Sequence, residues 1–140
     1  MREYQRSSVV LGQAGLPGSR LGIGTWAMGG GWGPQPETHS LEAIHRALEL
    51  GCTVIDTAAL YGNGYAEQLI ARAFKSYGAR VTTFTKVYPL HYHWAPAPGT
   101  SIDDIYPSKH LITQAEASLR RLEADCLDCL LFTIMVPFLG

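Results

Sequence analysis

Charge is what this chain of 140 residues has least of. Charged side chains make up 16% of it, against roughly 25% in an average domain. Eleven Lys and Arg stand against twelve Asp and Glu, for a net charge of −1. With no excess of either sign, the composition indicates neither a phosphate backbone nor an anionic membrane as partner, and it argues against nucleic-acid binding. No apolar run approaches the ~20 residues that span a bilayer, and no apolar stretch follows Met1-Arg2-Glu3-Tyr4-Gln5-Arg6 as it would in a secretory signal. The chain therefore reads as soluble and cytoplasmic. Cys52, Cys126 and Cys129 are odd in number, which argues against a secreted disulfide framework and fits reduced thiols. Cys126 and Cys129 form a C-x-x-C, but no second pair follows. They are expected to be buried structural thiols, and no metal site is expected. The shortage of charge points to a surface built to be covered.

The apolar residues, 46% of the chain, alternate between strand-like runs and helix-like spacings. Gly22 to Ala27 reads as a strand. In residues 40–50, Leu41, Ile44, Ala47 and Leu48 share one helical face, with Ser40 as N-cap and Gly51 as the stop. Thr53 to Asp56 is a β-branched run, followed by a glycine-rich turn and a second helix carrying Ala66, Leu69, Ile70, Ala73 and Phe74 and ending near Gly78. Val81 to Lys86 is the next strand. A loop rich in Pro, His and aromatics, 87–107, leads to a helix opened by Ser108, with Leu111, Ala115, Leu119 and Leu122 on one face. Leu127 to Ile134 is a fourth apolar run, and Gly12, Gly15, Pro17 and Gly18 suggest an N-terminal hairpin. The expected fold class is α/β, with about four parallel strands, three helices and right-handed crossovers. An open doubly wound sheet and a β/α barrel both fit this order. The Gly29-Gly30-Gly31-Trp32-Gly33 run is not a dinucleotide fingerprint, because Trp32, Pro34 and Pro36 delay the helix that G-x-G-x-x-G must open.

Reactive side chains collect at strand ends. Asp56 closes the second strand, Tyr61 lies in the following turn and Lys86 closes the third strand. In a parallel β/α array these project from the carboxyl face, where sites form in both architectures. Singly, each has a plain structural role: a turn cap, a half-buried aromatic, a snorkelling amine. Together they suggest an ion pair that fixes an ammonium beside a phenol, and such an ammonium favours phenolate and makes the hydroxyl a usable general acid. His91 and His93 form an H-x-H without further ligands and read as loop residues. His39, His45 and His110 carry no assigned role, and the Arg120-Arg121 pair is expected to solvate a helix face.

At these residues the sequence resembles the aldo/keto reductase family. The matching text is Arg20-Leu-Gly-Ile-Gly-Thr-Trp26, Val54-Ile-Asp56-Thr-Ala-Ala-Leu-Tyr61-Gly62-Asn-Gly, Phe84-Thr-Lys86, and Ser118-Leu-Arg-Arg-Leu122 leading to Leu127-Asp128. The resemblance covers residues 8–132 and is strongest to bacterial NADPH-dependent members. It implies the N-terminal half of a (β/α)8 barrel that reduces aldehydes or ketones to alcohols with NADP(H), on a small carbonyl substrate. Asp56, Tyr61 and Lys86 would be catalytic, with Tyr61 as proton donor. Gly24, Thr25, Trp26 and Asp56 would contact the nicotinamide, and the loop after the third strand would line the substrate mouth.

Two departures accompany the resemblance. The family's strand-four histidine falls at Thr133, and threonine offers a hydroxyl without an imidazole's titration. A full barrel also needs eight strands in roughly 250 residues. The chain is thus expected to be a truncated reductase, inactive or weak alone. Its tail 133–140 diverges: if the Thr133 codon ends in C, reading on from that base gives CAT, a histidine codon, so a frameshift is one expected origin of the tail. Two other readings stand beside the reductase. One is a non-catalytic remnant or binding module; the other is a half-barrel that self-associates through open strand edges, including the apolar tail Leu130 to Leu139.

Overall fold

The computed structural model describes residues 8–92 and 96–133. The chain opens with an antiparallel hairpin, β1 (Ser8–Leu11) and β2 (Leu16–Ser19), and continues as β3 (Ile23–Gly24), α1 (Glu37–Glu49), β4 (Val54–Asp56), α2 (Tyr65–Tyr77), β5 (Thr82–Val87), α3 (Ile102–Ile105), α4 (Ser108–Leu122) and β6 (Cys129–Phe132). The strands β3, β4, β5 and β6 form one parallel sheet in sequence order. Each strand therefore neighbours the next in the chain, as in an arc of a β/α barrel.

The sheet has two unlike faces. Ile55 of β4 packs with Ile44 and Leu48 of α1, Leu69, Ile70, Ala73 and Phe74 of α2, and Leu122 of α4 in one buried cluster. Burying each large aliphatic side chain contributes about 1.5–3 kcal/mol, so this outer face against the helices holds the arc together. By strand alternation the opposite face carries Gly24, Asp56 and Lys86. The hairpin closes the amino end of the sheet: the Thr82 hydroxyl donates to the Pro17 carbonyl at 2.6 Å, and a Cβ on the buried Gly18 would lie 2.9 Å from Val54 Cγ2. The carboxyl ends of the strands form the other rim.

Several boundaries differ from the sequence expectation. The first strand ends at Gly24 rather than Ala27: the Thr25 amide makes the last ladder bond, to the Asp56 carbonyl, and the Gly29 amide then turns back onto the Thr25 and Trp26 carbonyls as the chain winds into a 3-10 turn, Ala27–Gly29. Helix α1 begins at Glu37, directly after Pro36 (φ −60°, ψ 136°), so Ser40 is a buried residue inside the helix and not its N-cap. Proline disfavours helix in Gln35 before it, and Pro36 itself stays extended, so the helix opens at Glu37, whose carboxylate in the first turn suits the helix dipole. One extra helical turn, α3, interrupts the long loop, with Ser101 accepting from the Asp103 amide. The cysteine expectation also fails: Cys126 is exposed and Cys129 only half-buried, because β6 starts at Cys129 and leaves Cys126 in the preceding turn. Arg121 is not a solvated partner of Arg120, since its side chain is turned inward onto Glu67. The tail 134–140, including the apolar run to Leu139, lies outside the described residues, as does His93. No described helix is long and apolar enough to cross a membrane.

Candidate active site

Parallel pairing of β4 with β5 sets Asp56 opposite Phe84, and Lys86, two residues further along, returns to the same face at the carboxyl rim. There the Lys86 ammonium donates to Asp56 Oδ1 at 2.6 Å, to the Thr57 carbonyl at 2.8 Å and to the Tyr61 hydroxyl oxygen at 3.2 Å. An ammonium has three N–H donors, and all three are committed. The lysine side chain is 16% exposed, whereas that of Asp56 is 43% exposed, so the cation is held in protein while the carboxylate still meets solvent.

Tyr61 is positioned by the turn between β4 and α2. Its amide donates to the Ala58 carbonyl, and its own carbonyl accepts from the Ala66 amide in the first turn of α2. Gly62, at φ +61°, lies against Gly29: a Cβ on Gly62 would sit 2.7 Å from the Gly29 carbonyl oxygen, and one on Gly29 would sit 2.6 Å from the Tyr61 carbonyl carbon. Only paired glycines let the loop after β3 approach the tyrosine turn this closely. That loop carries Trp26, which is 56% exposed and meets Trp32 edge-on at 6.2 Å.

The remaining expected positions gather at the same rim. Thr25 is buried and gives both its amide and its hydroxyl to the Asp56 carbonyl. Gly24 pairs with Asp56 in register, and a Cβ there would meet open space. Thr133 follows β6, and its amide donates to the Val87 carbonyl. Its carbonyl accepts from the Tyr106 hydroxyl at 2.6 Å, and its own hydroxyl is buried without a partner. Alternation from Leu131, the register partner of Lys86, puts Thr133 on the Lys86 face. The phenol of Tyr106 is held above its ordinary titration range by burial. His91 stands exposed in the loop after β5, and His110 bonds the Tyr88 carbonyl at 2.8 Å behind it. Among the described residues no group of three His, Cys, Asp or Glu could hold a metal ion. The sequence reading missed the Thr57 carbonyl, which no residue type announces, and a buried network of Glu67, Thr85 and Arg121.

Consecutive parallel β/α units, with a Lys, Asp and Tyr cluster on the carboxyl rim and a hairpin closing the amino end, define the chain as part of a (β/α)8-barrel protein. The profile of the Aldo/keto reductase family matches residues 20–137, and the chain belongs to that family. It is 36% identical over 121 residues to Aldo-keto reductase YhdN of Bacillus subtilis (strain 168), covering 84% of this chain and 35% of that protein. It is likewise 36% identical over 117 residues to Methylglyoxal reductase YeaE of Escherichia coli (strain K12), covering 84% and 35%. An aldo-keto reductase from Klebsiella pneumoniae solved in complex with NADPH superposes with a TM-score of 0.68 at 29% identity, over 91% of this chain and 39% of that one. The chain spans about a third of the length of the two curated relatives.

Proposed function

We propose that this chain is the catalytic N-terminal half of an NADPH-dependent reductase of small aldehydes or ketones, with Tyr61 as proton donor. The observation that carries the reading is the geometry at Lys86. Its ammonium approaches the phenol oxygen of Tyr61 at 3.2 Å as a donor, which occupies an acceptor position of that oxygen and leaves the phenol's own O–H to donate elsewhere. A substrate carbonyl in the rim would accept that bond. When bound, a reduced nicotinamide supplies hydride to the carbonyl carbon. Tyr61 gives its proton to the carbonyl oxygen, and the adjacent cation stabilises the charge left on the phenol oxygen until solvent returns a proton. Asp56 holds the ammonium in place.

The residues present fit the nicotinamide end of such a cofactor. Gly24 leaves open space beside Asp56, Trp26 offers an exposed aromatic face, and the half-exposed carboxylate has its Oδ2 available as an acceptor. Gly24, Thr25, Trp26 and Asp56 would hold that end. The Klebsiella relative's complex with NADPH and the B. subtilis and E. coli reductases support this choice of cofactor and of a small carbonyl substrate. The rest of the cofactor would need the remaining barrel strands, and Thr133, whose hydroxyl is buried, would leave the expected imidazole's place without a titrating group. The 140 residues alone should therefore reduce carbonyls weakly or not at all.

The test is a titration of NADPH against the purified chain, alone and mixed with the C-terminal half of YhdN, following nucleotide fluorescence and aldehyde-dependent NADPH loss. Gain of turnover on mixing supports the reading, and a folded mixture that ignores NADPH refutes it. Self-association is a second reading, favoured by one observation: β6 leaves Leu130, Leu131 and Phe132 38%, 38% and 58% exposed. Size measurement decides it, with a stable dimer for and a monomer against. The frameshift origin of residues 133–140 is tested by sequencing the coding DNA: a shifted frame that restores histidine after Phe132 supports it, and one that does not ends it.

A further inference from the structure

Glu67 is a fully buried carboxylate that the proposed chemistry does not use. It sits in the first turns of α2, immediately after the turn that carries Tyr61. Its Oε1 accepts from the Thr85 hydroxyl at 2.6 Å, and its Oε2 accepts from Arg121 Nε. Arg121 in turn donates to the Ser118 hydroxyl and covers Gly64, where a Cβ would fall 2.4 Å from Arg121 Cδ. Both carboxylate oxygens are thus bonded and the charge is paired, as a buried ionised group requires.

The network joins the elements that carry the two reactive side chains. Tyr61 is tied to α2 through the Ala66 amide, and Glu67 is the next residue of that helix. Lys86 follows Thr85 on β5. Strand alternation sends the Thr85 side chain outward to Glu67 and the Lys86 side chain inward to Tyr61. We propose that Thr85 is a positioning residue, which fixes the Lys86 ammonium against Tyr61 and Asp56 by anchoring β5 to Glu67 of α2, with Arg121 neutralising the anchor. This rests on the reading of Lys86 and Tyr61 given above.

Lys86 reactivity reports the anchor without any need for turnover. An amine whose three donors are all engaged acylates slowly, while Lys75 and Lys109 are exposed. The experiment treats the full chain briefly with an acetylating ester and measures the modification of each lysine by mass spectrometry, with folding checked by circular dichroism. Thr85→Val keeps the shape and removes the hydroxyl. It should acylate Lys86 on the order of five- to tenfold faster, the equivalent of one lost hydrogen bond, while Thr85→Ser keeps the protection. Thr83→Val is the control: Thr83 shares the strand and the outer face, but its hydroxyl bonds only the Val81 carbonyl, so Lys86 should stay protected. Protection unchanged in folded Thr85→Val, or lost equally in Thr83→Val, overturns the proposal. If Thr85→Val does not fold, Thr85→Cys, with a weaker donor in nearly the same volume, takes its place under the same criteria. Wild-type Lys86 reacting as fast as Lys75 would instead overturn the site geometry itself.

Discussion

Removing one or the other partner of the Asp56–Lys86 pair should have unequal consequences for stability. Lys86 is mostly covered and Asp56 is close to half exposed. In Lys86→Met the methylene stem remains, the Asp56 carboxylate turns to water, and the chief loss is the donor to the Thr57 carbonyl. A net hydrogen bond to a charged group is worth about 1.5–3 kcal/mol, and much of that is offset because a partly desolvated cation no longer needs to be held, so the net change should stay within about 1 kcal/mol. Asp56→Ala leaves the ammonium covered and without its counter-ion. Discounted for the exposure of Asp56, that should cost about 1–3 kcal/mol. Urea unfolding followed by far-UV circular dichroism measures both, and the midpoints convert to free energies if the slopes agree. The reasoning fails if Lys86→Met is the more destabilising of the two.

Other consequences follow from the same packing. Gly62→Ala forces a side chain into a left-handed position and against the Gly29 carbonyl, so it should cost at least about 1–2 kcal/mol. A thermal melt within error of wild type would contradict the close approach of the two loops. Arg121→Met leaves Glu67 buried and unpaired, with an expected loss of about 3–5 kcal/mol, while Arg120→Met should change stability by less than about 0.5 kcal/mol; equal effects would contradict the inward placement of Arg121. Burial raises the titration of Tyr106 in the folded chain. The native state therefore keeps this proton while the unfolded chain loses it at a pH of about 10, so the Tyr106 contribution is intact below that pH and declines as pH rises beyond it. Comparing alkaline unfolding of the wild type and Tyr106→Phe checks this, with a shallower decline expected for the variant.

The strand and helix alternation was legible because β4 and β5 are dense in β-branched residues and α1, α2 and α4 place apolar residues at helical spacing. Asp56 and Lys86 were legible for a simpler reason: a polar residue that closes an apolar strand in a parallel array must reach the carboxyl rim. The one-turn helix α3 was not, since four residues carry no periodicity. Nor could two adjacent arginines be told apart in a sequence. Helix phase decides between them, and Arg121 shares a face with the buried Ser118 and Leu122, while Arg120 lies outside it. Cys126 was misjudged because the apolar run gives no sign of where pairing with β5 begins. The Thr57 carbonyl had no sequence signal, since every residue possesses one.

The central claim is that Tyr61 donates a proton to a carbonyl. The most direct measurement joins residues 8–132 of this chain to the remaining barrel of YhdN and compares aldehyde-dependent NADPH oxidation with and without Tyr61→Phe. Loss of the phenol proton with the ring retained should lower kcat by roughly 10²- to 10⁴-fold, the range for a general acid, while the hybrid still binds NADPH. Turnover that survives Tyr61→Phe would contradict the account.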